Sequence, residues 1–123
     1  MTNLERLQAW YASQCNGDWE HGFGISISTI DNPGWKVEIE LDATELEECT
    51  FEKIQAQRSE DDWLFVERKE TKFRIACGPM NLEECLAIFC DWADSDPANL
   101  RPRLRNELAK RAEDGSPRRK PGE

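Results

Sequence analysis

The feature that most constrains this chain is a change of hydrophobic period near Phe23. Upstream, Leu4, Leu7, Trp10 and Tyr11 recur at three- and four-residue spacing, which gathers them onto one face of a helix able to cover a sheet. Downstream the spacing drops to two. Phe23, Ile25 and Ile27 alternate with Gly and Ser, and Trp35, Val37, Ile39 and Leu41 alternate with Lys36, Glu38 and Glu40. A chain that switches period in this way is neither all helix nor all sheet. Thr2-Asn3-Leu4-Glu5 sets the start of the first helix as a capping box, and the helix is expected to run to about Gln14, with Gly17 ending the turn beyond it. Between the two strands, Asn32-Pro33-Gly34-Trp35 places Pro second and Gly third, the combination of a type II turn, and so predicts an antiparallel hairpin.

Further strand-like runs occupy Phe51 to Arg58, Trp63 to Arg68, and Phe73 to Cys77, separated by charged residues that suit exposed turns. Gly78-Pro79 breaks the pattern. Asn81 with Glu84 is a second capping-box candidate ahead of Leu82, Cys85, Leu86, Phe89, Trp92 and Ala93, the strongest helix in the sequence. The expected fold is α+β: an antiparallel meander of about five strands packed with an N-terminal helix and a helix after the last strand, plus a short C-terminal helix. A chain of 123 residues suits one domain. Residues 1–95 read as that domain, 96–112 as a helical extension carrying Leu100 to Ala112, and 113–123 as a basic flexible tail without apolar anchors.

Charge narrows the partners. Residues 1–100 hold 21 Asp and Glu against 8 Lys and Arg, a net −13, whereas residues 101–123 hold 4 against 8, a net +4. The acidic domain repels phosphate backbones, so direct nucleic-acid binding by it is not expected, while a basic protein partner is attracted over a Debye length. Five cysteines, at 15, 49, 77, 85 and 90, form no Cys-x-x-Cys pair, and the chain opens without a basic, apolar signal sequence. A reduced cytoplasmic setting is expected, with no metal, no cofactor and no membrane-spanning segment.

Candidate chemistry concentrates between Trp10 and Trp35, which hold three of the five tryptophans and the only histidine. Cys15, Asp18 and His21 suggest a nucleophile, an orienting acid and a base, but a cysteine near the end of an amphipathic helix is also a small apolar packing residue. Asp18 and Glu20 can serve as acid and base, or accept backbone amide bonds at a turn. Trp35 and Trp92 lie on inward faces, whereas Trp19 lies in the loop and reads as the aromatic contact. Of the acidic runs Glu45-Glu47-Glu48 and Glu60-Asp61-Asp62, the second is flanked by Arg58, Ser59 and Trp63 and so offers a mixed charged and aromatic surface.

These residues also carry a family resemblance. Trp10-Tyr11, Cys15-Asn16-Gly17-Asp18-Trp19-Glu20-His21, Gly24, Asp31-Asn32-Pro33-Gly34-Trp35, Phe51-Glu52-Lys53-Ile54, Arg58-Ser59-Glu60, Asp62-Trp63, Phe73, Gly78-Pro79, Asn81-Leu82-Glu83-Glu84, Phe89 and Trp92 follow one another as in the immunity protein 53 family of bacterial polymorphic toxin systems, which the chain resembles over residues 4–93. Asn16 and Cys77 depart from the family pattern, which carries an acid and a glycine there. The resemblance implies an α+β protein, not an enzyme, that binds and neutralises a cognate toxin by stoichiometric inhibition. Joined to the acidic charge, it suggests a nuclease as the toxin, with Asp18, Trp19, Glu20, His21, Asp31, Arg58, Glu60 and Asp62 as toxin-binding residues. The alternative is a small hydrolase or transferase that reverses toxin damage using Cys15, Glu20 or His21. A third reading is a scaffold whose basic tail recruits a partner.

Overall fold

The computed structural model describes residues 1–95. The C-terminal helix expected over 100–112 and the tail 113–123 lie outside the described residues. The elements, in order, are α1 (Asn3–Gln14), α2 (Trp19–Gly22), β1 (Ile25–Ile30), β2 (Gly34–Glu40), β3 (Ile54–Gln57), β4 (Trp63–Lys69), β5 (Lys72–Cys77) and α3 (Leu82–Ser95). The α+β architecture is the expected one, a five-stranded antiparallel sheet with a helix before it and a helix after its last strand. The strand order is β1-β2-β5-β4-β3. A hairpin, β1–β2, and a three-strand meander, β3–β4–β5, are therefore joined by pairing β2 to β5.

Residues in register share a face of an antiparallel sheet. Val37 pairs with Ile27 and Ile75, and Ile75 with Val66, so these side chains point the same way. That face also holds Ile39, Phe73, Cys77 and Leu64 and is buried under α3 and the segment between β2 and β3, with α1 packed on α3. The opposite face carries Ser26, Ser28, Lys36, Glu38, Arg74, Glu67, Phe65 and Trp63. One face is dry and one is wet, which is why the apolar period of two is legible along β2 and β5, whereas β4 adds Trp63 and Phe65 on the wet face.

Aromatic contacts tie the layers together. Phe73, on the central strand β5, lies 5.0 Å from Phe89 and 5.1 Å from Trp92 of α3, and 4.8 Å from Phe51 of the β2–β3 connection, between ring centroids. Phe89 meets Trp10 of α1 at 5.2 Å, and Trp10 meets Trp19 of α2 at 6.2 Å. The Phe51 segment, expected to be part of a strand, is thus a packed connection, and β3 begins only at Ile54. The Thr2 capping box forms: the Glu5 amide donates to Thr2 Oγ1 at 3.1 Å and the Thr2 amide to Glu5 Oε1 at 2.7 Å. The second capping box takes another form. Asn81 is buried, and its side-chain oxygen accepts the Trp63 amide at 3.2 Å, so it fastens α3 to β4 instead of closing the helix start.

The turn at residues 31–33 also differs from expectation. Gly34 pairs with Ile30 inside the ladder, which leaves the three-residue loop Asp31-Asn32-Pro33, and among the described residues the glycine with positive φ is Gly17, at 94°. Gly34 is needed for a different reason: a Cβ there would lie 2.1 Å from the Cys77 carbonyl oxygen. Backbone, not a flexible side chain, sets that limit. Among the described residues no helix is long and apolar enough to cross a membrane. Gly34→Ala should therefore destabilise the protein by about 1–3 kcal/mol, read from its urea midpoint, as overpacking against a fixed neighbour does. Gly22→Ala, where a Cβ meets nothing within 4 Å, should leave stability nearly unchanged.

Candidate functional site

The eight residues expected to bind a toxin fall at opposite ends of the sheet. Asp18, Trp19, Glu20 and His21 precede β1, whereas Asp31 follows it and Arg58, Glu60 and Asp62 belong to the β3–β4 turn at that far end. The six residues of β1 separate the two groups by about 20 Å at the usual strand rise.

At the near end most of the candidates are occupied with folding. Trp19 was expected as an exposed contact, but it is 4% exposed and its indole N–H donates to the Asp42 carbonyl at 2.8 Å. The reason is packing, since Trp10, Tyr11 and Phe23 surround it with centroid distances of 5.9–6.2 Å. Glu20 accepts the amides of Asn16 and Gly17 at 3.0 and 2.9 Å, and Asn16 in turn accepts those of Asp18 and Trp19 at 2.9 Å each. Bonds from backbone amides, its own first, hold the Glu20 carboxyl below its usual range. This is the loop-closing role and not that of an acid or base. Cys15 is partly buried and its thiol donates to the Tyr11 carbonyl at 3.4 Å. Asp18 and His21 remain exposed.

At the far end Arg58 is the centre of a clamp. Its Nε and Nη2 donate to Asp62 Oδ1 at 3.0 and 2.8 Å, and its Nη1 and Nη2 reach Glu84 Oε2 and Oε1 at 3.1 and 2.6 Å. Asn81 adds a donor to Asp62 at 2.8 Å. The clamp joins the β3–β4 turn to the first turn of α3. Hydrogen bonds from Arg58 hold both the Asp62 and the Glu84 carboxyl below their usual range, with Asn81 contributing to each. The Arg58 guanidinium is raised by the same two carboxylates, Glu84 more than Asp62. Glu60 and Asp61, in contrast, are exposed at the turn, as is Asp31.

Sequence reasoning undervalued one aromatic residue and missed a cation. Trp10, Trp19, Trp35 and Trp92 donate their indole N–H groups to Glu45, Asp42, Pro79 and Thr50 at 2.8–3.0 Å. Trp63 has no such partner among the described residues. It is partly buried on the wet face, its ring 3.4 Å from the position of a Cβ on Gly34, with Phe65 two residues on. The absence of side-chain bulk at Gly34 makes room for that ring, and this signal was present in the sequence. Arg68 donates to the carbonyls of Leu46, Glu47, Cys49 and Glu70 and so organises the β2–β3 connection. Nothing in its local sequence marks it.

No group of three or more His, Cys, Asp or Glu among the described residues is placed to hold a metal ion. The sheet is thus covered on one face by an aromatic interior, and its far end carries the exposed Asp31, Glu60 and Asp61. The family model that matches residues 4–94 is that of immunity protein 53. The chain belongs to that family, whose members are non-enzymatic inhibitors of toxins. No curated protein and no solved structure matches it.

The lowered carboxyls of the clamp have a consequence for acid stability. Because their folded pKa values lie below the unfolded values of about 3.8 and 4.5, their contribution is present above those values and is lost as pH falls through the folded ones. Arg58→Gln should lower the urea midpoint at pH 7 and flatten its decline between pH 5 and 2. An unchanged slope of midpoint against pH would refute the clamp as its source.

Proposed function

We propose that this protein neutralises its cognate toxin by stoichiometric binding, through the far end of the sheet, where Trp63 anchors and Asp31, Glu60 and Asp61 supply negative charge. The observation that carries this reading is the indole of Trp63, without a hydrogen-bond partner among the described residues, at the same end of the sheet as the exposed Asp31, Glu60 and Asp61. A half-buried Trp with a spare donor combines apolar area with directionality, the combination that dominates contact energies at protein interfaces. Arg58 and Asp62 act there by holding the turn. Asp18 and His21, at the near end, form a second and separate contact, while Trp19 and Glu20 hold their loop in shape.

The toxin class in this reading is a nuclease. Residues 1–100 carry a net charge of −13, and a nuclease groove must be basic to accept phosphates. Carboxylates of the inhibitor then stand where phosphates would, and the field steers encounter more than it deepens affinity. The association rate of the complex should accordingly fall several-fold between 50 and 500 mM salt in stopped-flow measurements, by about the loss expected as the Debye length shortens. A salt-independent rate would remove the nuclease argument.

Binding and repair of toxin damage make different demands. Trp63→Ala should weaken toxin binding by about tenfold to several hundredfold, as loss of an interface anchor does, and, because the ring is partly buried, should lower the thermal midpoint as well, though by less than Trp19→Ala. Trp19→Ala should instead cost about 3–5 kcal/mol of stability, as truncation of a buried Trp does. Cys15→Ala and His21→Ala should retain protection in cells wherever they retain affinity. Lost protection with intact affinity in either variant would favour catalysis over blocking.

A further inference from the structure

We propose that β1 is a strand-addition edge, where an extended segment of the toxin with alternating apolar and basic side chains pairs with this chain and becomes a sixth strand of the sheet. This rests on the immunity reading above and specifies how the partner is held.

The geometry of β1 carries the inference. The Glu40 amide donates to the Gly24 carbonyl at 3.0 Å, so Gly24 and Glu40 form a hydrogen-bonded pair. Pairs of that kind alternate along an antiparallel ladder, and the unbroken register therefore directs Ser26, Ser28 and Ile30 toward β2. The N–H and C=O groups of Ile25, Ile27 and Thr29 point outward, away from β2, which among the described residues is the only strand that neighbours β1. Six residues, Ile-Ser-Ile-Ser-Thr-Ile, run without a charge, a proline or a bulge, and residues 26–29 are exposed. Natural edges are usually blunted by those devices or by shortness. The opposite edge, β3, has only four residues and is flanked by Glu52, Lys53 and Arg58. The two edges of one sheet are treated differently, and β1 is the one left receptive.

The side chains around β1 select the occupant. On the helix-covered side, Ile25 and Ile27 are incompletely buried, Ile27 at 40% exposure, and offer an apolar strip to every second residue of an added strand. On the wet side the edge presents the small Ser26 and Ser28, with Ile30 at its far end, so long side chains from an added strand pass over the serines toward Glu38 and Glu40, about two strand spacings, or 10 Å, away. Glu38 also faces Arg74 at 3.5 Å and Lys36 at 4.0 Å, and one Glu40 oxygen accepts the Gly24 amide at 2.8 Å. Asp31 stands at the end of the strand. Lysine or arginine fits this side. A second copy of the chain does not, because Ile25–Ile30 contains no basic residue and pairing two copies would bring together two acidic chains, each of net charge −9.

Proline tests the edge selectively, since at Thr29 it removes an outward N–H that the fold does not use. The probe is a cognate toxin domain, inactivated at its catalytic residue, with the full-length protein as its partner. Thr29→Pro should weaken binding by about a hundredfold or more and Thr29→Val by less than about threefold, both at unchanged thermal midpoint, by analogy with loss of a central interface contact. Hydrogen exchange at the amides of Ile25, Ile27 and Thr29 in the wild-type protein should slow on binding, a readout that needs no variant to fold. Equal binding by Thr29→Pro, or unchanged exchange at those amides in a formed complex, would overturn strand addition and leave the immunity reading standing. A wild-type protein that neither binds nor neutralises the toxin would overturn the immunity reading itself. Self-association abolished by Thr29→Pro would overturn the proposed occupant in favour of a second copy.

Discussion

The contact between Phe73 and Phe89 is the constraint on which the other elements depend. Phe73 sits on β5, the central strand, and Phe89 on α3; both are fully buried, and their rings meet at 5.0 Å. Every layer reaches the core through this pair. Phe51 and Trp92 close on Phe73 from the β2–β3 connection and from α3, while Trp10 closes on Phe89 from α1 and passes the contact to Trp19. Each such aromatic contact contributes about 0.5–1.5 kcal/mol beyond the area it buries. In a domain of fewer than a hundred residues, a run of them substitutes for the larger aliphatic core that the chain is too short to build.

Fastening the aromatics inward decides what the surface can offer. Four indoles spend their N–H groups on Glu45, Asp42, Pro79 and Thr50, so each tryptophan also fixes a connection or loop to the core. The Asp18–His21 loop is one result: Trp19 is drawn under it and Glu20 is turned back onto its amides. Rigidity there comes at the expense of contact groups. At the far end the arrangement is reversed, because the Arg58 ion pairs, with Asn81, hold the turn without drawing on an indole and leave Trp63 partly exposed and Glu60 and Asp61 in solvent. A surface held rigid before binding loses less entropy on association.

The elements were legible in the sequence because their cause is local. Period, the Thr2-Glu5 box and the Gly78-Pro79 break each act within a few residues, and the helices and strands follow from them. The strand order was not legible as such, since pairing β2 with β5 is decided by which strands share the face under α3. Trp19 was misplaced for a related reason. Its sequence neighbours are polar, but its spatial neighbours Trp10, Tyr11 and Phe23 come from both sides of the loop. Gly34 was recognised as special for the wrong cause: a turn preference is visible in four residues, whereas the approach of the Cys77 carbonyl lies 43 positions away. Of the site, the Arg58–Asp62 cluster was visible as composition. Its division into clamp and contact needed geometry.

Leaving β1 unguarded would ordinarily invite pairing between copies of the protein. Here the guard is distributed over the whole molecule instead of being placed on the strand. An excess of acidic residues across residues 1–100 penalises the approach of any similarly charged edge, including its own, through long-range repulsion that needs no lysine or bulge on β1. The same field favours a basic strand. Charge in the body and neutrality along the edge thus act together as one selectivity device: backbone groups that would accept any extended chain are exposed only to those chains that the surrounding potential admits.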